Sequence, residues 1–231
     1  MPENDYDAFA AAYDADNENN AWNAYYERPA TLALGGDVAG LRVLDAGCGG
    51  GAHAAALIER GATVTGIDRS AGLLDIARRR LDGRAQLLRA DLGEPLPFDD
   101  GAFDLIVASL VMHYLEDWSL PLSEFNRVLQ KGGRLVFSTH HPFMDHSLSG
   151  HDNYFETYRF DDTWERGGRT IHMRFWHRPL HAMFDALKSA GFATETVSEP
   201  EPDPRASTLF PDAYRSLTTK PRFLFFSAVK A

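Results

Sequence analysis

The sequence predicts an α/β fold: a mostly parallel sheet with helices on both faces and an antiparallel last strand. Three observations predict it. Short apolar runs alternate with segments of helical period from residue 41 onward. The run Leu105-Ile-Val-Ala-Ser-Leu-Val111 is almost continuously apolar, as a strand buried on both faces must be. The last apolar run, Arg222 to Val229, follows a connector with Pro200, Pro202, Pro204, Pro211 and Pro221, which leaves room for a short crossover helix only.

Residues 1–40 are polar and aromatic, and Tyr6, Phe9 and Tyr13 have the spacing of one helix face. Leu41 to Asp45 reads as the first strand, followed by glycines and a helix from Ala52 to Arg60 that stops at Gly61. Thr63 to Ile67 is a second strand. Ser70 then caps a helix with Leu73, Leu74, Ala77 and Leu81 on one face, ending near Gly83. Gln86 to Ala90 and Phe103 to Ser109 are strands three and four. A helix around Leu122, Phe125, Val128 and Leu129 ends at Lys131-Gly132-Gly133, and Arg134 to Ser138 is strand five. Residues 140–178 break the rhythm and read as an insertion with one short strand, Thr170 to Phe175. A helix from Pro179 to Ala190, a strand from Phe192 to Val197 and the final strand complete the chain.

The chain has 231 residues, which suits one domain (1–231) with elaborations at 1–40 and 140–178. Its 33 acidic against 23 basic residues give a net charge of −10, so nucleic acid and anionic membrane are expected not to be partners. Cys48 is the lone cysteine, which excludes an internal disulfide and a cysteine-rich zinc site. The acidic start, Met1-Pro2-Glu3-Asn4-Asp5, does not read as a secretion signal, and no apolar run is long enough to span a bilayer. A cytoplasmic protein is the expectation.

The strongest local signal is Val43-Leu-Asp45-Ala-Gly47-Cys-Gly49-Gly-Gly51 between a strand and a helix. Such glycines let the backbone approach a ligand closely, but several nucleotide classes use them. Asp45 sharpens the choice, because at the strand end its carboxylate should face the ligand, and a pyrophosphate there would meet a negative charge at short range in a partly desolvated cleft, at a cost of roughly several kcal/mol. Asp68 ends strand two, where a carboxylate can accept both hydroxyls of an unphosphorylated ribose. Asp91 ends strand three, where an adenine amino group is a suitable partner. Three acids at the ends of successive strands favour a neutral or cationic adenosine ligand; S-adenosylmethionine (SAM) carries an ammonium, a sulfonium and no phosphate.

These residues resemble a known family. The glycine stretch, Gly66-Ile67-Asp68-Arg69-Ser70, Ala90-Asp91-Leu92, Phe103 to Val107 and Val128 to Leu135 look like the ordered motifs of class I SAM-dependent methyltransferases, in the flavour of the small-molecule enzymes of quinone biosynthesis. The resemblance implies a Rossmann-like seven-stranded sheet with an antiparallel last strand, helices on both faces, and SAM as cofactor with S-adenosylhomocysteine as product. It implies that Asp45, Gly47, Cys48, Gly49 and Ser109 surround the methionine portion, that Asp68 binds ribose, and that Arg69, Asp91 and Leu92 address the adenine. An N-terminal helix closing over the cofactor would bring in Tyr13, Tyr25, Tyr26 and Arg28. Cys48 itself reads as a small packing residue, not a nucleophile.

Methyl transfer from a sulfonium needs alignment and exclusion of water more than acid–base groups. His113, just after strand four, is the candidate base or orienting group, with Tyr114 beside it. His140 and His141 follow strand five at the same edge, and with Trp164 and Phe175 they are the candidate acceptor-site residues of a lid over 140–178. The histidine spacing matches no familiar metal site, so no metal is expected. The expected reaction is methyl transfer to a small organic acceptor at O, C or N. A SAM-binding regulator without activity and an NAD-dependent oxidoreductase stay open as alternatives, and oligomeric state is not legible.

Overall fold

In the computed structural model, which describes residues 4–166 and 169–231, the strand–helix alternation becomes one seven-stranded sheet. The elements are α1 (Ala10–Asn19), α2 (Arg28–Gly35), β1 (Arg42–Ala46), α3 (Ala52–Glu59), β2 (Thr63–Asp68), α4 (Ala71–Leu81), β3 (Gln86–Arg89), β4 (Phe103–Ala108), α5 (Ser119–Val128), β5 (Leu129–His140), α6 (Pro142–Ser149), β6 (Tyr158–Arg166), β7 (Arg169–His177), α7 (Leu180–Ser189), β8 (Phe192–Ser198), α8 (Ala206–Leu209), α9 (Pro211–Leu217) and β9 (Phe223–Lys230). The sheet order is β3-β2-β1-β4-β5-β9-β8. Strands β1 to β5 run parallel, and β9 is antiparallel to both β5 and β8. This is the expected Rossmann-like arrangement with its reversed last strand.

Alternation along the central strands feeds two cores, one on each face. Leu44, Ile106, Leu135 and Phe137 pack with Trp118 and Phe125 on one side. Val43, Leu105, Val107 and Val136 pack with Leu57 and Leu81 on the other. Each such side chain, fully buried, contributes about 1.5–3 kcal/mol of transfer free energy. The strand order turns from outward β2, β3 to outward β4, β5 at the β1–β4 junction, which opens a crevice at the carboxyl ends of these strands.

Three expectations need correction. Residues 140–178 hold more than one short strand: α6 leads into an antiparallel pair, with Tyr158 opposite His177 and Phe160 opposite Phe175. The first strand of that pair, Tyr158-Arg-Phe-Asp-Asp-Thr-Trp-Glu-Arg166, carries five charged residues, which hid its alternation. Strand five starts at Leu129, not Arg134, because Leu129 already pairs with Phe103; residues 130–133, with Gly132 at φ +72°, then bulge out before the register resumes with Arg134 opposite Leu105. The N-terminal aromatics do not share one helix: Phe9, at φ −143°, divides a 3-10 turn Tyr6–Ala8 from α1. Their rings still meet, with Tyr6 centroids 5.1 Å from Phe9 and 4.7 Å from Tyr13.

Candidate functional site

The glycine loop is built by local sterics. The amides of Gly47 and Cys48 both donate to the Ile67 carbonyl, at 2.8 and 2.9 Å, which folds the loop across the end of β2. Gly47 stands at φ +77°, and a Cβ there would lie 2.8 Å from Val111 Cγ2, so only glycine fits. Gly49, at φ +52°, has open space where a Cβ would be and donates to Asp68 Oδ2 at 2.9 Å. The other carboxylate oxygen of Asp68 accepts from the Ser70 amide at 2.8 Å. Each oxygen keeps a second lone pair for a ligand. Burial pushes the Asp68 carboxyl above its ordinary range, against the pull of those two amides.

A cleft with about 790 Å³ of empty space, solvent-open volume included, lies above this loop, walled by Gly47, Gly49, Asp68, Arg69, Asp91 and Leu92, with Ser109 and Leu110 also in its lining. Asp91 spends one oxygen on the Gly93 amide at 2.9 Å. A recess of about 500 Å³ continues past Gly47, Gly49 and Ser109 to Arg28 and His53. A further cavity of about 830 Å³, under the β6–β7 pair, is walled by His113, His140, Asp145, Trp164 and Arg222. Tyr13, Leu110 and Tyr114 belong to the walls of both large cavities.

Three features hold that junction. Leu110 has left-handed backbone, φ +47°, which is strained for a leucine. Its amide donates to the Ser138 carbonyl and hydroxyl at 3.1 and 2.9 Å. The Ser138 hydroxyl in turn donates to the buried Glu27 at 2.6 Å. The Tyr6 and Tyr114 hydroxyls are hydrogen-bonded to each other. Burial pushes both phenols well above 10. The N-terminal segment is tied down by Asp7, which accepts from the Gly72 amide at 2.8 Å and from the Ser70 hydroxyl. Asp14 pairs with Arg80 at 3.0 Å.

The expected site residues do not all gather here. Of the three strand-end acids, Asp68 and Asp91 wall the 790 Å³ cavity, whereas Asp45 is 1% exposed and takes no part in its wall. Asp45 sits under the N-terminus of α3, where Ala54 donates to it, and burial lifts its carboxyl to about 6. Its Oδ2 has no hydrogen-bond partner among the described residues. Cys48 points its buried thiol at Gly66, where a Cβ would stand 3.0 Å from Sγ, so its side chain packs beneath the loop.

Tyr25 is a correction: its ring lies against Phe210 at 5.6 Å, under Arg205, away from the cavities. Tyr26 is buried against Phe223 and Phe225. The chain turns away there because Asn23–Glu27 form a π-helical turn, which rotates successive residues differently from an α-helix. Arg28 is nearer the expectation: it walls the recess and pairs with Glu18 at 3.1 Å. His141 is another correction. It caps α6, its Nδ1 accepting from the Phe143 amide at 3.3 Å, with Nε2 3.1 Å from Glu199, and it walls neither large cavity. Phe175, 1% exposed, also stands behind the wall, packed on His140 at 4.7 Å and Tyr114 at 5.4 Å.

His113 is 3% exposed and stacks on His140 at 3.7 Å, its Nδ1 accepting the His140 amide at 3.4 Å. Burial, with His140 adding to it, pushes His113 well below the ordinary histidine range, so it is neutral at physiological pH. His140 Nδ1 lies 3.1 Å from the buried Asp145. Trp164 donates to Asp162 at 3.1 Å and lies parallel to Tyr13 at 6.5 Å. Leu110, Asp145 and Arg222 escape sequence reasoning: one is apolar and the others lie in segments without a motif.

Residues 44–137 match the family described as a methyltransferase domain. The crystal structure of an S-adenosylmethionine dependent methyltransferase from Mesorhizobium loti is 31% identical, with a TM-score of 0.69 over 87% of this chain and 96% of that one. A structure from Listeria monocytogenes superposes with a TM-score of 0.77 at 24% identity, over 89% of this chain and 96% of that one, a likeness of fold. A demethylmenaquinone methyltransferase from Clavibacter sepedonicus is 39% identical over 140 residues, which are 58% of this chain and 57% of that protein, so the match spans little more than half of that relative. The chain belongs to the S-adenosylmethionine-dependent methyltransferase family.

The site fits that cofactor. Asp68 presents lone pairs for an unphosphorylated ribose, and the loop at Gly47 and Gly49 brings backbone to the cavity without a Cβ in the way. The orphaned oxygen of Asp45 lies behind the loop, where a cationic group on the ligand lowers the cost of its charge.

Proposed function

We propose that this protein transfers a methyl group from SAM to a small organic acceptor at O, C or N. The observation that carries this reading is the meeting of two large cavities at Tyr13, Leu110 and Tyr114. One holds the cofactor and the other the acceptor, with the reacting atoms between them. SAM supplies an already activated methyl on a sulfonium, so the protein's work is alignment.

Asp68 accepts the ribose hydroxyls, Arg69, Asp91 and Leu92 flank the adenine, and Gly47, Gly49 and Ser109 line the methionine portion. Arg28 stands at the far end of the recess, where a ligand carboxylate finds a cation. Asp45 acts from beneath the loop, as a negative field behind it. Tyr114 and Trp164 wall the acceptor side, and residues 1–40 and 140–178 act as cap and lid that keep water out.

Where the acceptor must lose a proton, His140 is better placed to take it than His113. The Asp145 carboxylate lies 3.1 Å from its Nδ1, so Nε2 is the nitrogen left to meet the acceptor. His113 stays neutral beneath it as a stacked support. A net charge of −10 and a buried free thiol at Cys48 support a cytoplasmic protein without nucleic-acid partners. Among the described residues no helix is long and apolar enough to cross a membrane.

Calorimetric titration tests the reading. S-adenosylhomocysteine is expected to bind and NAD is not, and labelled SAM should yield a labelled product from a metabolite extract. Binding of NAD alone would end the proposal; binding of S-adenosylhomocysteine with no product would favour a regulator.

A further inference from the structure

Arg222 is a cation without a counter-charge inside the acceptor cavity. It lies just before β9 and is half-buried. No carboxylate among the described residues comes within ion-pair distance of it, and burial alone depresses its guanidinium. The chain as a whole is strongly acidic, so leaving a positive charge unpaired here runs against the composition. A half-buried charge without a partner is costly, and an arginine keeps its charge at any working pH.

Its orientation is fixed from three elements. The guanidinium carbon stands 4.9 Å over the Trp22 ring. Nη2 donates to the Ser216 hydroxyl of α9 at 3.1 Å, and Nη1 lies 3.5 Å from Met144 Sδ of α6. Nε has no hydrogen-bond partner among the described residues. Most of the five N–H donors are therefore unspent, or spent on a weak sulfur acceptor. The two acids of the same wall do not pair with it: Asp145 lies 3.1 Å from His140 Nδ1, and Asp162 accepts from the Trp164 indole and the Thr163 amide. The rest of the cavity is largely aromatic, with Tyr13, Trp22, Tyr114, Trp164 and Phe223.

We propose that Arg222 is the anchor for an ionised carboxylate on the methyl acceptor, so that the acceptors are small carboxylic acids with an aromatic or apolar body. The inference rests on the methyltransferase reading for the word acceptor, but the anion subsite is argued from this chain's own residues. A planar guanidinium pairs with a carboxylate through two parallel hydrogen bonds, and the aromatic walls take the body of the ligand. Methyl transfer then occurs at another atom of the same molecule, near Tyr13, Leu110 and Tyr114, while the anchored carboxylate fixes its register.

The test uses salicylate and 3-phenylpropionate against their neutral amides, titrated into the full chain with and without S-adenosylhomocysteine. Each acid should bind at least about tenfold more tightly than its amide. Arg222→Gln should abolish that preference while S-adenosylhomocysteine affinity stays within about twofold, and Arg222→Lys should keep a reduced part of it, because charge survives and the fork does not. Thermal melting checks that each variant is folded, and Arg222→Lys carries the test if Arg222→Gln is not. Equal affinity for acid and amide in the natural protein overturns the proposal, as does an undiminished preference in both variants. Failure of S-adenosylhomocysteine to bind overturns the methyltransferase reading instead, and the titrations without it still decide the anion subsite.

Discussion

A single carboxylate, Asp68, does two jobs with four lone-pair positions. Gly49 and Ser70 occupy one on each oxygen, which fixes the rotamer and leaves the others aimed at a ligand. Asp68→Ala would remove both proposed ribose contacts and release the loop amide, so affinity for S-adenosylhomocysteine should fall at least about tenfold by calorimetry; unchanged affinity contradicts the ribose assignment. Asp145 makes a different claim. It lies beside His140 and outside the wall of the cofactor cavity. Asp145→Asn should therefore lower turnover about tenfold or more while S-adenosylhomocysteine affinity stays within about twofold. A parallel loss of both would make Asp145 structural. At this scale Asp68, Asp91, Gly47 and Gly49 were legible because each sits at a strand end or a turn, where topology leaves few directions to point. Asp45 was legible as an acid but not as a buried one, because the helix that covers it is placed by packing of Ala54 and Leu57.

The elements divide in the same way. Central strands announce themselves, since burial on both faces leaves no polar position, and Phe103–Ala108 shows it. The β6–β7 pair does not, since one face is wet and Asp161 and Asp162 interrupt the alternation. No sequence pattern marks the π-helical turn at Asn23–Glu27 that sends Tyr25 outward and Glu27 inward; Glu27 is held inward by the tertiary hydrogen bond from Ser138 of β5, with Thr31 one turn further on donating to the same oxygen. Docking of the N-terminal segment onto α4 is the element-scale contact with a readable consequence. Ser70 caps α4 by accepting from the Leu73 amide, and its hydroxyl donates a hydrogen bond to Asp7. That hydroxyl first, then the Gly72 amide, holds the Asp7 carboxyl below its ordinary 3.8. A carboxyl lowered by folding stabilises above its unfolded pKa and loses that contribution as pH falls, so acid should release the segment first. Asp7→Asn should do the same at neutral pH: amide exchange over residues 6–19 should quicken and S-adenosylhomocysteine affinity drop several-fold, since Tyr6 and Tyr13 wall the cofactor cavity. Exchange as slow as in the natural protein would show that Asp7 does not hold the segment.

Across the whole molecule, three buried groups set opposing dependences of stability on pH. Glu27, 3.1 Å from His53, is held at about 2 in spite of burial, by the charge of His53 and the hydroxyls of Ser138 and Thr31. Its contribution is complete above the unfolded value of 4.5 and fades as pH falls toward 2. Asp45 runs the other way. The native state keeps its proton up to about 6, whereas the unfolded chain gives it up near 3.8, so stability declines as pH rises through that interval. The penalty that remains at neutral pH is on the order of 2–3 kcal/mol. His53, raised by Glu27 and then Asp45 against its own burial, adds a further decline above its unfolded 6.5. Together they place the ligand-free optimum of this cluster on the acid side of neutral. Asp45→Asn removes the penalty, because an amide accepts the Ala54 amide without carrying charge. The ligand-free variant should melt roughly 5 °C higher at pH 7.5, and its gain should shrink at pH 4. It should also bind S-adenosylhomocysteine several-fold more weakly, because the negative field behind the loop is gone. Melting curves at the two pH values, with and without S-adenosylhomocysteine, separate the effects. A variant that melts no higher at pH 7.5 would mean that Asp45 is already neutralised in the native protein, and one that binds as tightly would mean that its charge is not used for the cofactor.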